Sequence, residues 1–309
     1  MSRPRPNTAP SPPKSALPEP EADWRRNNIG HLLFAASDRF LREKLASVHA
    51  AGFAIGETQL TLLLNLDPGG TRPGKLAVRM NLTRPSVSEV IARSEFSGLA
   101  ARSPDPADSR ARLITLTGPG DRALAAIHRA IATAEARFID EAGFDLAHRF
   151  RHEFGAYAAE LDDDGRSSGW HSGNVGRVLA LAARKFVREV LRIVHASGHL
   201  GIGEAMLSLV RNLDLAGSRL TDLAARAHIT KQSMRELVDR GEALGIVERA
   251  PDDDDKRAKL VRFTPSGVVM LEDMRCGVEA AERRLAERVG PGLLAEVHAA
   301  LRAYAGLTA

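Results

Sequence analysis

Apolar positions recur at helical spacing over most of the chain. Leu32, Leu33, Ala36, Phe40 and Leu41 fall on one face of a long helix, and Val178, Leu179, Ala182, Phe186 and Val187 do the same further on. The spacing predicts second helices over Thr58 to Asp67 and Glu204 to Leu215. Two short helices should follow each of these. The period then changes at Arg112 to Thr117 and at Lys259 to Thr264, where β-branched and apolar residues alternate with polar ones, as in a short strand. Long helices rich in Ala, Arg and Glu come next, about Asp121 to Ile139 and Ser266 to Val289, each followed by a shorter helix that carries a tyrosine.

Every element therefore occurs twice. The two tryptophans, Trp24 and Trp170, lie 146 residues apart, and the two tyrosines, Tyr157 and Tyr304, lie 147 apart. From Gly56 to Thr117, a shift of 147 gives 26 identities in 62 positions, where chance gives roughly one in fifteen. Upstream the shift drops to 146, so the second copy holds one extra residue between its first two helices. The chain reads as two copies of one domain, 24–161 and 170–309. A polar linker, 162–169, joins them. Residues 1–23 hold seven of the sixteen prolines and few large apolar side chains, which reads as a disordered tail.

At 309 residues, two domains of about 140 residues can each bury a core. No apolar run approaches the 18 or more residues of a membrane span, and no signal segment opens the chain, so the expectation is a cytoplasmic protein with no membrane role. A single cysteine, Cys276, excludes an intramolecular disulfide and is expected to be a buried, inert thiol. The net charge of +4 permits a polyanionic partner without demanding one. The placement of the arginines has to decide.

Thr221 to Leu244 has the layout of a helix-turn-helix. Ala224 is small where two helices would touch. His228 stands at the sharp turn, where φ can be positive and Asn and His are enriched among non-glycine residues. Ile229 would plug the turn, Thr230 would cap the next helix, and Met234 and Leu237 would pack it down. Ala77, Asn81, Leu82, Thr83, Val87 and Val90 repeat the layout in the first copy, where Pro73 should stand at the start of the motif's first helix. The second helix then shows Arg84, Ser86 and Ser88 in one copy, and Lys231, Gln232, Ser233 and Arg235 in the other. Short hydroxyls, an amide and cations at a helix N-terminus suit contact with base edges and phosphates in a major groove.

Beyond Gly98-Leu99 lies a charged hairpin, Pro104-Asp105-Pro106-Ala107-Asp108-Ser109-Arg110-Ala111-Arg112, matched by Pro251-Asp252-Asp253-Asp254-Asp255-Lys256-Arg257-Ala258-Lys259. Two strands joined in this way make a wing. Asp and Arg spaced by two would brace its tip, and Arg110, Arg112, Arg257 and Lys259 could reach phosphate or the minor groove.

These residues resemble the MarR family of winged helix-turn-helix transcription regulators. Asp105, Pro106, Asp108, Arg110, Leu116, Thr117 and Gly120 match its wing pattern, with Ser109 where the family has a first Arg. Asp252, Asp255, Arg257, Thr264 and Gly267 match it again, with Lys256 in that place. Val238-Asp239-Arg240, then Glu242, Gly245 and Ile246, look like the family's recognition-helix exit, from which Ile91-Ala92-Arg93 departs. The resemblance implies a mainly α fold with small β wings: two winged helix-turn-helix domains arranged as a single-chain pseudo-dimer with an intertwined helical interface. It implies binding to double-stranded DNA at a pseudo-palindromic operator, most simply as a repressor relieved by a small-molecule effector. Reading successive major grooves would need recognition helices roughly 34–36 Å apart. No cofactor is implied, and no phosphate-binding glycine loop or nucleophile motif points to an enzyme. The alternative is an interaction module whose acidic second wing engages a protein.

His148 and His152 stand i, i+4, as do His195 and His199, but Ala295 and Ala299 oppose the first pair, so a metal site is not expected. Trp24, Trp170, Tyr157 and Tyr304 are expected to anchor crossing terminal helices. The wings differ in charge: Ala100 to Thr117 carries a net +1, whereas Val247 to Thr264 is neutral, with four consecutive aspartates. The second wing should therefore grip DNA less. Arg110→Ala should lower affinity in a salt-dependent binding assay more than Arg257→Ala; equal losses would count against this.

Overall fold

The computed structural model describes residues 24–159, 173–227, 229–251 and 259–307. The proline-rich tail, the linker, Trp170, the His228 turn residue and the second wing tip from Asp252 to Ala258, with Lys256 and Arg257, lie outside the described residues. In chain order the elements are α1 (Trp24–Asn27), α2 (Ile29–Ala50), α3 (Glu57–Leu64), α4 (Pro73–Met80), α5 (Arg84–Phe96), β1 (Ala100–Asp105), β2 (Asp108–Leu116), α6 (Gly118–Ala142) and α7 (Phe144–Ala158). They continue with α8 (Val175–Ala196), α9 (Glu204–Asn212), β3 (Ser218–Arg219), α10 (Leu220–Arg226), α11 (Lys231–Ala243), β4 (Val247–Pro251), β5 (Lys259–Phe263), α12 (Pro265–Val289) and α13 (Pro291–Tyr304). The described residues are mainly helical, with two small antiparallel sheets.

The described residues form two compact units, 28–202 with 273–307, and 24–27 with 203–272. The core of the first is the crossing of α2 and α8. Asn28 and Asn174 cap these helices, each side chain accepting the N–H three residues on at 2.9 Å. The apolar stripes then meet: Leu32, Leu33, Ala36 and Phe40 of α2, and Val178, Leu179, Ala182 and Phe186 of α8, are buried, while Leu41 and Val187 lie at the half-buried edge. The contact is reciprocal. A Cβ on Gly30 would lie 2.3 Å from the Phe186 ring, and one on Gly176 would lie 2.4 Å from the Phe40 ring. Each glycine is the socket for the other helix's phenylalanine.

The same exchange recurs around that crossing. Lys185 donates to the Tyr157 carbonyl at 2.8 Å and sits 4.5 Å from that ring's centroid. Arg39 donates to the Tyr304 carbonyl and lies 4.1 Å from its ring. Glu282 accepts the N–H of Ile29 at 2.8 Å, and Glu135 that of Val175 at 3.3 Å. Both tyrosines thus anchor terminal helices, as expected. Tyr304 packs edge-on to Phe138 at 5.0 Å, and Phe150 continues the cluster.

In the other unit, Arg25 of α1 is buried and donates to the carbonyls of Val210 and Leu213, at 3.0 and 2.7 Å, at the C-terminal end of α9. A cation there satisfies carbonyls that the helix leaves unpaired. Burial holds its guanidinium below the usual arginine value.

Several expectations need correction. The second helices stop at Leu64 and Asn212, short of Asp67 and Leu215, because Asp67 and Asp214 turn away to bond a hydroxyl (below). The strand expected from Arg112 starts at Asp108, because the pairing with β1 runs to the hairpin tip. A third strand was not foreseen: Ser218–Arg219 pairs with β5, and Thr71 bridges Ile114 at the equivalent place. Cys276 is exposed, since it falls off the buried stripe of Met270, Met274, Val278 and Ala281 on α12. Gly198, with φ 101°, follows the end of α8 at Ala196, so His195 and His199 do not share a helix. Among the described residues no group of three His, Cys, Asp or Glu side chains is placed to hold a metal.

Gly176→Ala should lower stability by about 1–3 kcal/mol through overpacking against Phe40, offset in part by helix propensity. Denaturant melts of Gly176→Ala, Phe40→Leu and the double variant should show a cycle in which the smaller side chain recovers part of the loss. Simply additive losses would mean that the socket is not what constrains position 176.

Candidate nucleic-acid interface

Both helix-turn-helix units follow one local logic. Pro73 sits in the first turn of α4, where a missing N–H costs little. The turn to α5 passes through Asn81 at φ 53°, the left-handed conformation expected there. Ala77 and Ala224 are buried at the α4–α5 and α10–α11 contacts. Leu82 and Ile229, expected to plug the turns, are only half-buried. Thr83 and Thr230 cap α5 and α11, accepting the N–H groups of Ser86 and Ser233 at 3.3 and 3.0 Å. Val87, Val90, Met234 and Val238 hold the helices down, while Leu237 is half-buried.

An aspartate bolts each motif to the segment before it. The Asp67 carboxylate takes Arg79 of α4 at 2.9 Å, Lys75 at 3.2 Å and the Thr71 hydroxyl at 3.2 Å. Asp214 likewise takes Arg226 at 2.6 Å and the Ser218 hydroxyl at 2.8 Å, and Arg26 of α1 joins it at 3.2 Å. Burial opposes ionisation of Asp67, but the hydrogen bonds from Arg79 and Lys75 outweigh it and hold the carboxyl below its ordinary value. The sequence reading missed these residues. The signal was present, because Asp67, Arg72 and Arg79 recur unchanged as Asp214, Arg219 and Arg226.

The first wing is braced differently from expectation. Asp105 is held by Arg72, the N-cap residue of α4, at 2.7 Å, and accepts the Ala107 N–H at 2.9 Å. The Ala107 N–H and Arg72 together keep its carboxyl below the usual range. Asp108 accepts the backbone N–H of Arg110 at 3.1 Å, so the Arg110 side chain is not its brace. Arg102, counted among the wing's cations, pairs with Glu95 of α5 at 3.5 Å. Its counterpart Arg249 pairs with Glu242, and with Asp239 at 2.6 Å, on α11. These arginines tie wing to helix. The Thr and Gly of the wing pattern also hold the wing in place. Thr117 donates to the Gly98 carbonyl and accepts the Gly120 N–H at 3.1 Å. A Cβ on Gly120 would lie 1.9 Å from the Leu99 carbonyl oxygen, and Gly267 repeats this with Ile246.

Most of the residues read from the sequence lie outward, Ser86 excepted, and Arg257 falls outside the described residues. Arg84 and Ser88 on α5 and Arg110 and Arg112 on β2 are exposed, all in one compact unit; Ser86 is half-buried, its hydroxyl 2.9 Å from that of Thr83. Lys231, Gln232, Ser233 and Arg235 on α11 and Lys259 on β5 are exposed in the other unit. The histidines are otherwise engaged: His148 stacks on Phe144, His152 meets Glu153 at 3.0 Å, and His199 meets Asp273 at 2.8 Å.

A helix-turn-helix whose second helix is flanked by a strand hairpin defines a winged helix-turn-helix protein. Residues 207–258, which hold the second such motif, match the MarR family model. Solved structures are similar over part of the chain. YusO from Bacillus subtilis is 25% identical over 33% of this chain and 72% of its own, with a TM-score of 0.29. The transcriptional repressor CouR bound to a 23-mer DNA duplex is 25% identical over 45% and 92%, with a TM-score of 0.35. PcaV from Streptomyces coelicolor, in complex with its natural ligand, is 28% identical over 28% and 62%, with a TM-score of 0.25. No curated protein matches the chain. Among the described residues no helix is long and apolar enough to cross a membrane.

The lowered Asp67 value fixes the sign of a pH effect. The carboxylate contributes stability above its ordinary value near 3.8, and that contribution is lost as pH falls through the lower folded-state value. Hydrogen-exchange protection of α4, corrected for intrinsic rates, should therefore decline as the pH drops below about 4. Asp67→Asn should flatten that decline; an unaltered profile would mean that other groups carry it.

Proposed function

We propose that this chain is a sequence-specific DNA-binding transcription regulator, a repressor whose operator affinity is modulated by a small-molecule effector. The observation that carries this reading is the outward N-terminal face of α5, with Arg84 and Ser88 exposed, together with Arg110 and Arg112 exposed on the wing that follows it. The equivalent face of α11 carries Lys231, Gln232, Ser233 and Arg235. Helix N-termini with cations and amides present the donors that phosphates and base edges accept.

On this reading the two copies, 24–161 and 170–309, are a tandem duplication that folds as a pseudo-dimer within one chain. The reciprocal seating of Phe40 on Gly176 and Phe186 on Gly30 supports it, because a two-fold interface uses the same surface twice. The partner is a pseudo-palindromic duplex. The effector site is the cleft of about 540 Å³ between α2 and α6, where Arg42, Glu43, Ser47, Thr133 and Arg137 surround a floor of alanines. The second copy has Arg192 and Ile193 in place of Ala46 and Ser47. The effector would then occupy one copy only, and would act by binding the two DNA-affinity states unequally.

The full chain should retard a duplex taken from the region upstream of its own gene, with one chain per duplex at saturation. Arg84→Ala should make the dependence of log affinity on log salt shallower by about one. Two chains per duplex would end the pseudo-dimer reading. Failure to retard any duplex would leave the protein-binding wing as the better account.

A further inference from the structure

The two recognition helices share a frame but not a reading face. Arg84 corresponds to Lys231, Ser86 to Ser233, Glu89 to Glu236 and Arg93 to Arg240, so each helix keeps a cation at its first residue and a like pattern beyond. Among the exposed positions they differ in chemical character at Pro85 against Gln232, Ser88 against Arg235 and Ala92 against Asp239. All six residues are exposed, and their spacing of i, i+3 and i+7 puts each set on one stripe of its helix.

On α11 that stripe is built from long polar groups that hold one another. Gln232 donates to Glu236 at 2.9 Å, Arg235 approaches the Gln232 carbonyl oxygen at 3.5 Å, and Asp239 is fixed by Arg249 of β4 at 2.6 Å. Gln and Arg are the side chains that match two hydrogen-bonding positions on a purine edge, Gln on adenine and Arg on guanine. Held in a row at the helix N-terminus, they arrive at a base edge with part of their ordering already done.

On α5 the stripe has nothing comparable. Pro85 lacks both an N–H and a polar side chain. The Ser88 hydroxyl donates to the Arg84 carbonyl at 2.9 Å, and the Ser86 hydroxyl is engaged with Thr83 at 2.9 Å, so both serve the helix itself. What α5 and its wing offer outward is charge: Arg84, Arg110 and Arg112. Phosphate contact by such groups positions a protein on a duplex but carries no sequence information.

We infer that the chain reads its DNA unequally: α11 discriminates bases through Gln232 and Arg235, while α5 and the first wing anchor the backbone, so the operator has one stringent and one tolerant half. This rests on the DNA-binding reading above and deepens it. A symmetric homodimer could not divide the work in this way, because its two helices are the same sequence; two copies in one chain can.

The test is selection of a randomised duplex library by the full chain, followed by sequencing. One half of the pseudo-palindromic motif should show strong base preferences and the other only weak ones. Gln232→Ala with Arg235→Ala should flatten the strong half and weaken the selected duplex about tenfold or more, with a much smaller loss on a scrambled duplex. Arg84→Ala should weaken all duplexes alike and leave the motif unchanged. Conversely, Pro85→Gln with Ser88→Arg should add base preference to the tolerant half. All these positions are exposed, and unchanged thermal melts would confirm that the variants fold. Equal halves in the wild-type motif, or a motif unmoved by the Gln232 and Arg235 changes, would overturn this division while leaving DNA binding intact. Enrichment of no sequence at all would overturn both readings.

Discussion

A phenylalanine ring seated on a glycine, twice over and in opposite directions, sets how α2 and α8 cross. Neither glycine position has room for a Cβ, so the helices approach at the separation an aromatic ring dictates, and interiors packed to crystal-like density do not adjust cheaply. Once that separation is set, the other exchanges come into range. Arg39 and Lys185 reach the carbonyls and rings of tyrosines that lie 265 and 28 residues away in the chain. Glu135 and Glu282 reach the first N–H groups of α8 and α2. Each of these is a polar contact at the rim of an apolar crossing, where both ends of a helix need partners for their unpaired groups.

Around each recognition helix the polar side chains divide into two kinds of work. Asp67 and Asp214 hold Arg79 and Arg226, while Arg72, Arg102 and Arg249 pair with Asp105, Glu95 and Glu242, and these pairs tie helix, turn and wing together. Arg84, Arg110, Arg112, Lys231, Gln232 and Arg235 point outward. Counting wing charges treats these alike, yet Arg102 is paired with Glu95 and Asp105 with Arg72. The charge presented by the first wing is therefore not the sum of its residues. What a polyanion would meet is the arginine left over after the frame has been built.

On the proposed function, duplication within one chain changes what selection can do. Copies that share a chain keep the contacts that need both, such as the two sockets, and are free elsewhere. Among the positions that diverge are those of the outward stripe, the cleft between α2 and α6, and the wing tips. A single chain can thereby hold one half for reading, another for grip, and an effector site in one copy alone.

The sequence by itself determined the helices, the turn and the wing, because each follows from local rules. Apolar residues at helical spacing, Thr83 and Thr230 as caps, Pro73 at a helix start and Asn81 at a positive φ leave the backbone little choice. It determined most of the exposed polar residues of α5 and α11 too, since Arg84, Ser88, Lys231, Gln232, Ser233 and Arg235 fall off the apolar stripe that each helix buries. Only the tertiary structure decided which charges are spent internally, because the Arg72–Asp105 and Arg102–Glu95 pairs join segments whose separation depends on the packed fold. Exposure of Cys276 and the short third strands were decided there as well. A thiol's burial depends on which stripe of α12 meets a neighbour, and a two-residue strand has no periodicity to read until its partner lies beside it.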